Sequence, residues 1–356
     1  MIGLDIPKNP DALSAEWLSA ALRANVVSYD YEPIAAGVGF LGKLGRLRLR
    51  YDGAAPDAPR TLIAKLPTED ERSRQLAMMF RFYDREVSFY RDVGPTAGIR
   101  VPKLHYGASD PASGDFIMLM EDLAPARVGD QLEGCDASQA RLAIEAIARC
   151  HASWWNSPRL KTLGWLPATN DPVHHFAQPA YQGCWAPFVQ FVGDKLSPQM
   201  KRAGEELGAK VIRMLDGVAN RTPTLLHGDY RADNLFFGGS APIAAVDWQV
   251  SSAGGGAFDV AYFVSGNVDP ATRRAHEMDW LKLYVQTLKD NGVRDYGFDD
   301  CLEDYRADVL YCLVYAVIII GTLDPSNERG LRLFQTIVER VLTAIADLDA
   351  TAKMPA

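Results

Sequence analysis

The segment HGDYRADN, residues 227–234, is followed by the apolar run IAAVDW at residues 243–248. Asn234 stands five positions after Asp229, and Asp247 stands thirteen positions after Asn234. A short loop with this spacing can aim a carboxylate and a carboxamide at one point, and a following strand can return a second carboxylate beside them. Apolar runs flank the loop, so the pattern predicts a buried strand–loop–strand unit rather than a solvated turn.

These three side chains suit the transfer of a phosphoryl group from a nucleotide to a hydroxyl. Asp229 is the candidate catalytic base, because a carboxylate can orient a hydroxyl and accept its proton late in a loose transition state. Asn234 and Asp247 offer oxygen ligands of the kind that Mg²⁺ prefers. His227 is expected to support the loop. A polar turn without chemistry is the alternative interpretation of the whole segment.

A glycine-rich stretch, GVGFLG, occupies residues 37–42. A dinucleotide-binding GxGxxG loop needs a strand before it and a helix after it, and here a strand is predicted to follow. A glycine hairpin between strands suits a flap over nucleotide phosphates, since only glycine lets the backbone approach them closely. Gly37, Gly39 and Gly42 are therefore candidate phosphate-binding residues, and a hairpin turn without a ligand is the alternative.

Lys65 lies next to last in the apolar run TLIAKL, residues 61–66. A charge in that position needs a partner. Glu86, in a predicted helix over residues 68–92, is the candidate partner, and such a pair can position the α- and β-phosphates of a nucleotide. A solvated lysine at a strand end and a surface glutamate are the alternative.

Glu121 and Leu123 follow an apolar strand predicted at residues 116–120. Backbone groups at this position would bind adenine if the segment is the hinge of a nucleotide enzyme. The pattern changes from strands to helices here, so we predict a nucleotide-binding N-terminal lobe with an N-terminal helix over residues 1–121. Residues 122–356 are predicted to form a catalytic and acceptor-binding lobe.

Periodicity supports this division. Alternating or continuous apolar runs predict strands, and apolar residues at helical spacing predict helices. Asp136 and Gln139 have the spacing of a variant capping box. The predicted strands are 46–51, 61–66 and 116–120; the predicted helices are 11–23, 68–92, 136–155 and 198–218, with a loop over 156–192.

Composition limits the classes of partner and compartment. The 356 residues carry a net charge of −8, which argues against nucleic acid or an anionic membrane as the main partner. The 5 cysteines are an odd number without a CxxC pair, as expected of free thiols in a reducing compartment. The apolar run 309–320 is too short to span a bilayer. A cytoplasmic protein without a signal peptide is predicted, and its oligomeric state stays open.

Two regions are candidates for the acceptor pocket. An aromatic-rich stretch over residues 151–188 suits a flat apolar ligand or a cation, and core packing is the alternative. An acidic cluster over residues 295–304 suits an aminoglycoside, and a solvated helix face is the alternative.

The order of these features resembles the protein-kinase-like fold. The form HGDxxxxN followed by an apolar-Asp-Trp sequence resembles the aminoglycoside phosphotransferase and choline kinase superfamily. The stretches REVSFY (85–90), MEDL (120–123) and HASWW (151–155) look most like its ecdysteroid-kinase-like branch. The resemblance implies an α+β, bilobal fold with a small antiparallel-sheet N-lobe and a larger, mostly helical C-lobe.

The resemblance also implies an enzyme that uses ATP and Mg²⁺ to phosphorylate a small-molecule hydroxyl, on an aminoglycoside-, choline- or sterol-like alcohol. It implies Asp229 as the base, Asn234 and Asp247 as metal ligands, and Lys65 with Glu86 at the phosphates.

The chain departs from protein kinases at two points. Gly228 stands where they carry Arg, and DWQ at residues 247–249 stands where they carry Asp-Phe-Gly, which argues against a protein acceptor. A catalytically silent nucleotide-binding regulatory protein of the same fold is the first alternative. A metal-dependent hydrolase that uses His227, Asp229 and Asp247 is the second.

Overall fold

The computed structural model describes residues 4–34, 42–53, 58–323 and 326–356. The chain divides into two compact units. The first comprises Met1–Ala97, Val101–Pro125 and Val246–Val250, and the second comprises Gly98–Arg100, Ala126–Ala245 and Ser251–Ala356. A five-stranded antiparallel sheet belongs to the first unit and most of the helices to the second, so the predicted α+β class is confirmed.

The sheet of the first unit has the strand order β1-β2-β3-β5-β4. Alternation in β2 turns Leu47 and Leu49 into the core, where they meet Leu18 and Ala21 of α1. The elements of this unit are α1 (Ala15–Leu22), β1 (Val26–Ile34), β2 (Gly42–Tyr51), β3 (Thr61–Pro67), α2 (Glu71–Met79), α3 (Phe82–Ser88), β4 (Leu104–Asp110) and β5 (Asp115–Glu121).

The single helix predicted over residues 68–92 is wrong. Arg81 takes a left-handed conformation with φ of 54° and separates α2 from α3. Phe80 and Tyr83, on either side of this break, are both buried. After α3 the chain continues as a π-helical turn, Phe89–Val93, so the register of the side chains shifts again.

The second unit contains eight helices and two small sheets in the described part of the chain. Strands β6, β8 and β9 form one sheet, and β7 pairs with β10 in the other. The elements are β6 (Arg127–Val128), α4 (Ala137–Trp154), α5 (Ala177–Val192), α6 (Pro198–Leu207), α7 (Val211–Ala219), β7 (Thr224–Leu226), β8 (Leu235–Phe237), β9 (Ile243–Ala245), β10 (Ser252–Gly254), α8 (Ala257–Asn267), α9 (Pro270–Asp290), α10 (Phe298–Ile319) and α11 (Glu328–Asp347).

Helix predictions in this unit succeed where a capping residue and its partner lie close together in the sequence. Helix α4 begins with the predicted capping box of Asp136 and Gln139. The loop predicted over 156–192 is wrong in its second half, because α5 forms there in spite of Pro187. Buried Tyr181 and Phe188 recur on one face of α5, so packing outweighs the unfavourable local composition. The helix predicted over 198–218 is interrupted after α6.

The apolar run 309–320 lies mostly within α10, and its side chains are largely buried between helices of the second unit. None of the helices in the described part of the chain combines the length and the apolar character that crossing a membrane demands.

Candidate active site

Lys65 and Glu86 form a buried ion pair in the first unit. The ammonium Nζ of Lys65 lies 2.7 and 2.8 Å from the two carboxylate oxygens of Glu86. Strand β3 runs between β2 and β5, which places Lys65 opposite Leu44 and Met118 near the end of the strand. The predicted partner is therefore the observed one, although α2 and α3 replace the continuous helix that carried the prediction.

Asp247 completes this arrangement. Its Oδ1 lies 3.0 Å from Nζ of Lys65, although the two residues are 182 positions apart. Burial by itself would lower the pKa of Lys65, but the charges of Asp247 and Glu86 outweigh it and raise the pKa above its ordinary value. The lysine is therefore charged at neutral pH, and it is held between two carboxylates.

The pKa of the Glu86 carboxyl is raised, first by burial and then by the negative charge of Asp247, while Lys65 opposes the shift. The pKa of Glu86 is about 7, so burying a second carboxylate beside one ammonium is unfavourable without further positive charge. A site of this kind suits a cation as a further occupant.

The backbone of Asp247 is strained. Its φ of 65° lies in the left-handed region, which residues other than glycine rarely occupy. Trp248, the next residue, stacks on Phe89 with ring centroids 4.1 Å apart and an angle of 6° between the planes. Phe89 comes from the π-helical turn after α3, so the irregular turn supplies the ring that holds this segment. Strain of this kind concentrates at functional sites.

The glycine stretch is only partly described. Gly37 and Gly39 lie outside the described residues. Gly42 begins β2, where a Cβ atom would stand 3.1 Å from the carbonyl oxygen of Leu66 and 3.3 Å from Cε of Lys65. Because this approach leaves little room for a larger residue, Gly42 keeps the start of β2 close to the lysine.

The expected hinge residues lie at the end of β5. The carboxylate Oε2 of Glu121 accepts a hydrogen bond of 3.0 Å from the backbone N–H of Lys103. Asp122 accepts two hydrogen bonds from the guanidinium of Arg46, at 2.7 and 3.3 Å. Leu123 follows and is half-buried. The side chains of Glu121 and Asp122 are therefore used within the first unit, as is the backbone N–H of Glu121, which donates to the main-chain oxygen of Lys103 at 2.9 Å.

Asp229 and Asn234 come together in the second unit. Nδ2 of Asn234 donates to Oδ2 of Asp229 at 3.0 Å and to its main-chain oxygen at 2.9 Å. Two hydrogen bonds from one nitrogen fix the carboxamide, so its oxygen is turned away from Asp229. The loop of five residues is closed on itself by these contacts, which explains the spacing that the sequence shows.

Two further side chains hold the carboxylate of Asp229. Nε of Arg231 donates to Oδ2 at 3.0 Å, and the hydroxyl of Tyr262 donates to Oδ1 at 2.8 Å. The charge of Asp229 raises the pKa of Arg231 further above its ordinary value, so the guanidinium stays charged. Sequence reasoning missed both residues. Arg231 could have been predicted, because it stands two residues after Asp229 in the sequence. No pattern in the sequence points to Tyr262.

A buried network holds the backbone of the loop. Asp259, in the first turn of α8, accepts hydrogen bonds from the N–H groups of His227 and Gly228 at 2.7 and 2.9 Å. Nε2 of His151 lies 3.2 Å from the same carboxylate, and its Nδ1 lies 2.9 Å from the hydroxyl of Tyr284. The N-cap of α8 is Gly256, so Asp259 does not cap this helix, and its carboxylate holds the backbone of the loop instead.

The residues present fit a divalent metal ion in their chemistry. Asn234 of the second unit offers a neutral amide oxygen that is turned away from Asp229, and Asp247 of the first unit offers an anionic oxygen. Oxygen ligands of this kind suit Mg²⁺. Within residues 4–34, 42–53, 58–323 and 326–356 no group of three or more histidines, cysteines and acids is placed to hold a metal.

The acidic cluster at residues 295–304 is largely used by the fold. Asp304 lies 2.9 Å from Nε of Arg221 and accepts a hydrogen bond from Tyr296. Glu303 forms an ion pair with Lys353, and Asp300 accepts a hydrogen bond from the first residue before α10, Gly297. These contacts favour a structural role over an aminoglycoside pocket.

The aromatic stretch at residues 151–188 is mainly packed. Tyr181 and Trp185 stack with centroids 5.6 Å apart, and Trp185 stacks on Phe188. His151 belongs to the network behind the loop. Core packing, the alternative interpretation from the sequence, therefore describes these residues.

The model of the ecdysteroid kinase-like family matches residues 36–294. The chain belongs to that family. No curated protein sequence matches the chain.

Solved structures show the same fold as this ecdysteroid kinase-like chain. A candidate aminoglycoside phosphotransferase of Ralstonia eutropha JMP134 has a TM-score of 0.54 at 18% identity, and the match covers 96% of this chain and 99% of that one. Choline kinase from Cryptosporidium parvum Iowa II has a TM-score of 0.55 at 10% identity, covering 90% and 91%.

Spectinomycin phosphotransferase APH(9)-Ia, in complex with ADP and spectinomycin, has a TM-score of 0.53 at 14% identity. The match covers 96% of this chain and 100% of that one. The protein-kinase-like fold, with a small antiparallel-sheet lobe and a larger, mostly helical lobe, is confirmed, as is the ecdysteroid-kinase-like branch of the superfamily.

Proposed function

We propose that this chain is a small-molecule O-kinase that transfers the γ-phosphoryl group of ATP to a hydroxyl in the presence of Mg²⁺. The observation that carries the proposal is the meeting of Lys65, Glu86 and Asp247. Three distant chain segments converge there on one buried ammonium, and Asp247 adopts a strained backbone to reach it. Membership of a kinase-like family and the ADP in one solved relative support a nucleotide as the phosphoryl donor.

The residues then have separate tasks. Lys65, positioned by Glu86, binds the phosphates, and Gly37, Gly39 and Gly42 are proposed as further phosphate-binding residues. Backbone groups at Glu121 and Leu123 bind adenine. These residues make the N-terminal unit the nucleotide-binding lobe.

Asn234 and Asp247 are proposed as the ligands of the metal ion, which, when bound, supplies positive charge to the phosphoryl oxygens. Asp229 orients the hydroxyl of the acceptor and accepts its proton as the oxygen–phosphorus bond forms and the bond to ADP breaks. The products are ADP and a phosphate monoester, and the proton passes from Asp229 to solvent. The C-terminal unit is thus the catalytic and acceptor-binding lobe.

The acceptor is an alcohol of the aminoglycoside-, choline- or sterol-like classes. Pairing of Asp304 with Arg221 and of Glu303 with Lys353 makes the acidic cluster less suited to bind a polycation, which supports the latter two classes. All five cysteines are free thiols, which supports a reducing compartment such as the cytoplasm.

The test is a screen for ADP formation with Mg-ATP and a panel of aminoglycosides, choline, sterols and sugars. The wild-type chain should form ADP and a phosphorylated product with at least one acceptor. Replacement Asp229→Asn should lower turnover about 10²- to 10⁴-fold, the usual contribution of a general base, while Mg-ATP binding is retained.

The matched control is Asp279→Asn, which removes an exposed carboxylate of α9 that pairs only with neighbouring Lys282 in the described structure. Its turnover should equal that of the wild type. Equal turnover by the Asp229→Asn variant contradicts the assignment of the base. Mg-ATP binding without any product across the panel favours the silent regulatory protein instead.

A further inference from the structure

The two oxygens of the Asp229 carboxylate have different surroundings. Oδ2 accepts two N–H donors from its own loop, Arg231 Nε and Asn234 Nδ2, each at 3.0 Å. Oδ1 accepts one donor among the described residues, the hydroxyl of Tyr262 at 2.8 Å. A carboxylate oxygen offers about two acceptor positions, so Oδ2 is filled and Oδ1 keeps one position open.

We propose that Tyr262 is a positioning residue that holds Oδ1 of Asp229 so that its remaining lone pair faces the hydroxyl of the acceptor. This inference rests on the proposed function, because it assigns which oxygen of the base takes the proton. The loop donors orient the carboxylate from one side, and the phenol of Tyr262 orients it from the other. Without the phenol, the open oxygen can turn about the terminal side-chain torsion.

The position of Tyr262 on α8 explains how the phenol reaches the base. Asp259 and Tyr262 are three residues apart, so they share one face of the helix. Asp259 holds the loop backbone through the N–H groups of His227 and Gly228. One turn of α8 therefore fixes both the main chain before the base and the side chain of the base itself.

The ring of Tyr262 is also held in place. It meets Tyr315 of α10 edge to face, with centroids 5.2 Å apart, and Tyr315 in turn contacts Phe258 and Tyr311. Burial, and then the charge of Asp229, raises the pKa of the Tyr262 phenol well above its ordinary value. The phenol therefore stays a hydrogen-bond donor at neutral pH.

The test is Tyr262→Phe, which removes the hydroxyl and keeps the ring against Tyr315. A hydrogen bond to a charged group justifies an expected fall in kcat of about 10- to 100-fold. The KM for ATP should change less than twofold, because nothing in the change touches the residues proposed to bind the nucleotide. A melting temperature close to that of the wild type confirms that the variant is folded.

The matched control is Tyr311→Phe. Tyr311 is buried in the same aromatic cluster, 5.5 Å from the ring of Tyr315, and its hydroxyl makes no contact with Asp229 in the described structure. Its kcat should stay within twofold of the wild type. Tyr262→Leu, which also removes the ring, should lower the melting temperature and reduce kcat at least as much as Tyr262→Phe.

The outcomes separate this inference from the proposed function. If the wild type forms product and Tyr262→Phe keeps a kcat within twofold of it, the inference is overturned and the kinase assignment stands. Equal losses of kcat in Tyr262→Phe and Tyr311→Phe also overturn it, because a structural effect of the aromatic cluster would then explain both. A wild type without product on any acceptor overturns the proposed function, and the inference with it.

Discussion

Lys65 in the first unit and Arg221 in the second are cations that each lie between two carboxylates. Lys65 contacts Glu86 at 2.7 Å and Asp247 at 3.0 Å. Arg221 contacts Asp304 at 2.9 Å and Asp308 at 2.6 Å. Each group thus places one cation between two acidic side chains, yet we propose that only the first binds a ligand.

The origin of the carboxylates distinguishes the two groups. Asp304 and Asp308 are four residues apart on α10, so one helix face presents both to Arg221. Glu86 and Asp247 come from distant segments, and Asp247 has a left-handed backbone. A cation between two acidic side chains is therefore no mark of function by itself, whereas convergence of distant segments with backbone strain is.

The cations differ as well. An ammonium is a compact charge whose three donors can turn from a carboxylate to a phosphate, whereas a guanidinium is a rigid fork committed to its partners. The Lys65 group can accordingly exchange partners when a ligand enters. The Arg221 group connects α10 to the segment after α7 and is suited to permanent structure.

The largest expected effect is on stability and should be common to both groups. Lys65→Ala and Arg221→Ala each leave two carboxylates without their cation, which should lower the free energy of unfolding by about 3–5 kcal/mol. Urea unfolding measures the change. Lys43→Ala is the control, because the Lys43–Glu69 pair is exposed and should contribute less than about 1 kcal/mol. If Lys65→Ala or Arg221→Ala lowered the free energy of unfolding no more than Lys43→Ala does, the ion pairs of that residue would be well solvated.

The second prediction concerns pH and belongs to the Arg221 group. Burial raises the pKa of Asp308 to about 7 from its ordinary value of 3.8, against the opposing effect of Arg221. The native state therefore holds this proton more tightly than the unfolded state, so its stability contribution is present at low pH. It is lost as pH rises from about 4 to about 7, with a slope of at most about 1.4 kcal/mol per pH unit.

Asp308→Asn removes the titrating group and keeps an oxygen for Arg221. The unfolding free energy of this variant should fall less steeply between pH 4 and 7 than that of the wild type, as measured by urea unfolding at several pH values. Parallel curves for the two proteins would show that Asp308 does not titrate in this window.

The smallest expected effect is on the affinity for Mg-ATP, and it should differ between the Lys65 group and the Arg221 group. Asp247→Ala should weaken Mg-ATP binding at least about tenfold, because a metal ligand and a partner of Lys65 are lost together. Asp304→Ala removes one carboxylate from the Arg221 group and should leave the affinity unchanged. Titration calorimetry with Mg-ATP measures both, and equal affinities for the two variants would remove the functional distinction between the groups.

Local signals in the sequence predicted much of the first unit. The alternation of Leu47 and Leu49 marked β2, and the capping box of Asp136 marked the start of α4, because both patterns depend on nearby residues. The failures lie where packing outweighs local preference. Arg81 breaks the helix predicted over 68–92, and α5 forms around Pro187 because its buried face includes Tyr181 and Phe188.

The candidate site divides in the same way. Spacing alone brought Asp229 and Asn234 together, since a five-residue loop can close on itself by two hydrogen bonds. The candidate residues also follow one another along the sequence in the same order as in the kinase-like fold, and this order indicated the family. The pairing of Lys65 with Glu86 that the sequence predicted agrees with the structure. That prediction used only the position of a strand and of the helical segment that follows it.

Only the tertiary structure decided the partners that lie far apart along the chain. It placed Asp247 on Lys65 across 182 positions, Asp259 under the backbone of the loop, and the hydroxyl of Tyr262 on the base. Periodicity and spacing describe neighbours within one element, whereas these contacts depend on how separate elements pack. For that reason the sequence supplied the candidate groups for the proposed chemistry, and the fold determined which side chains hold them in position.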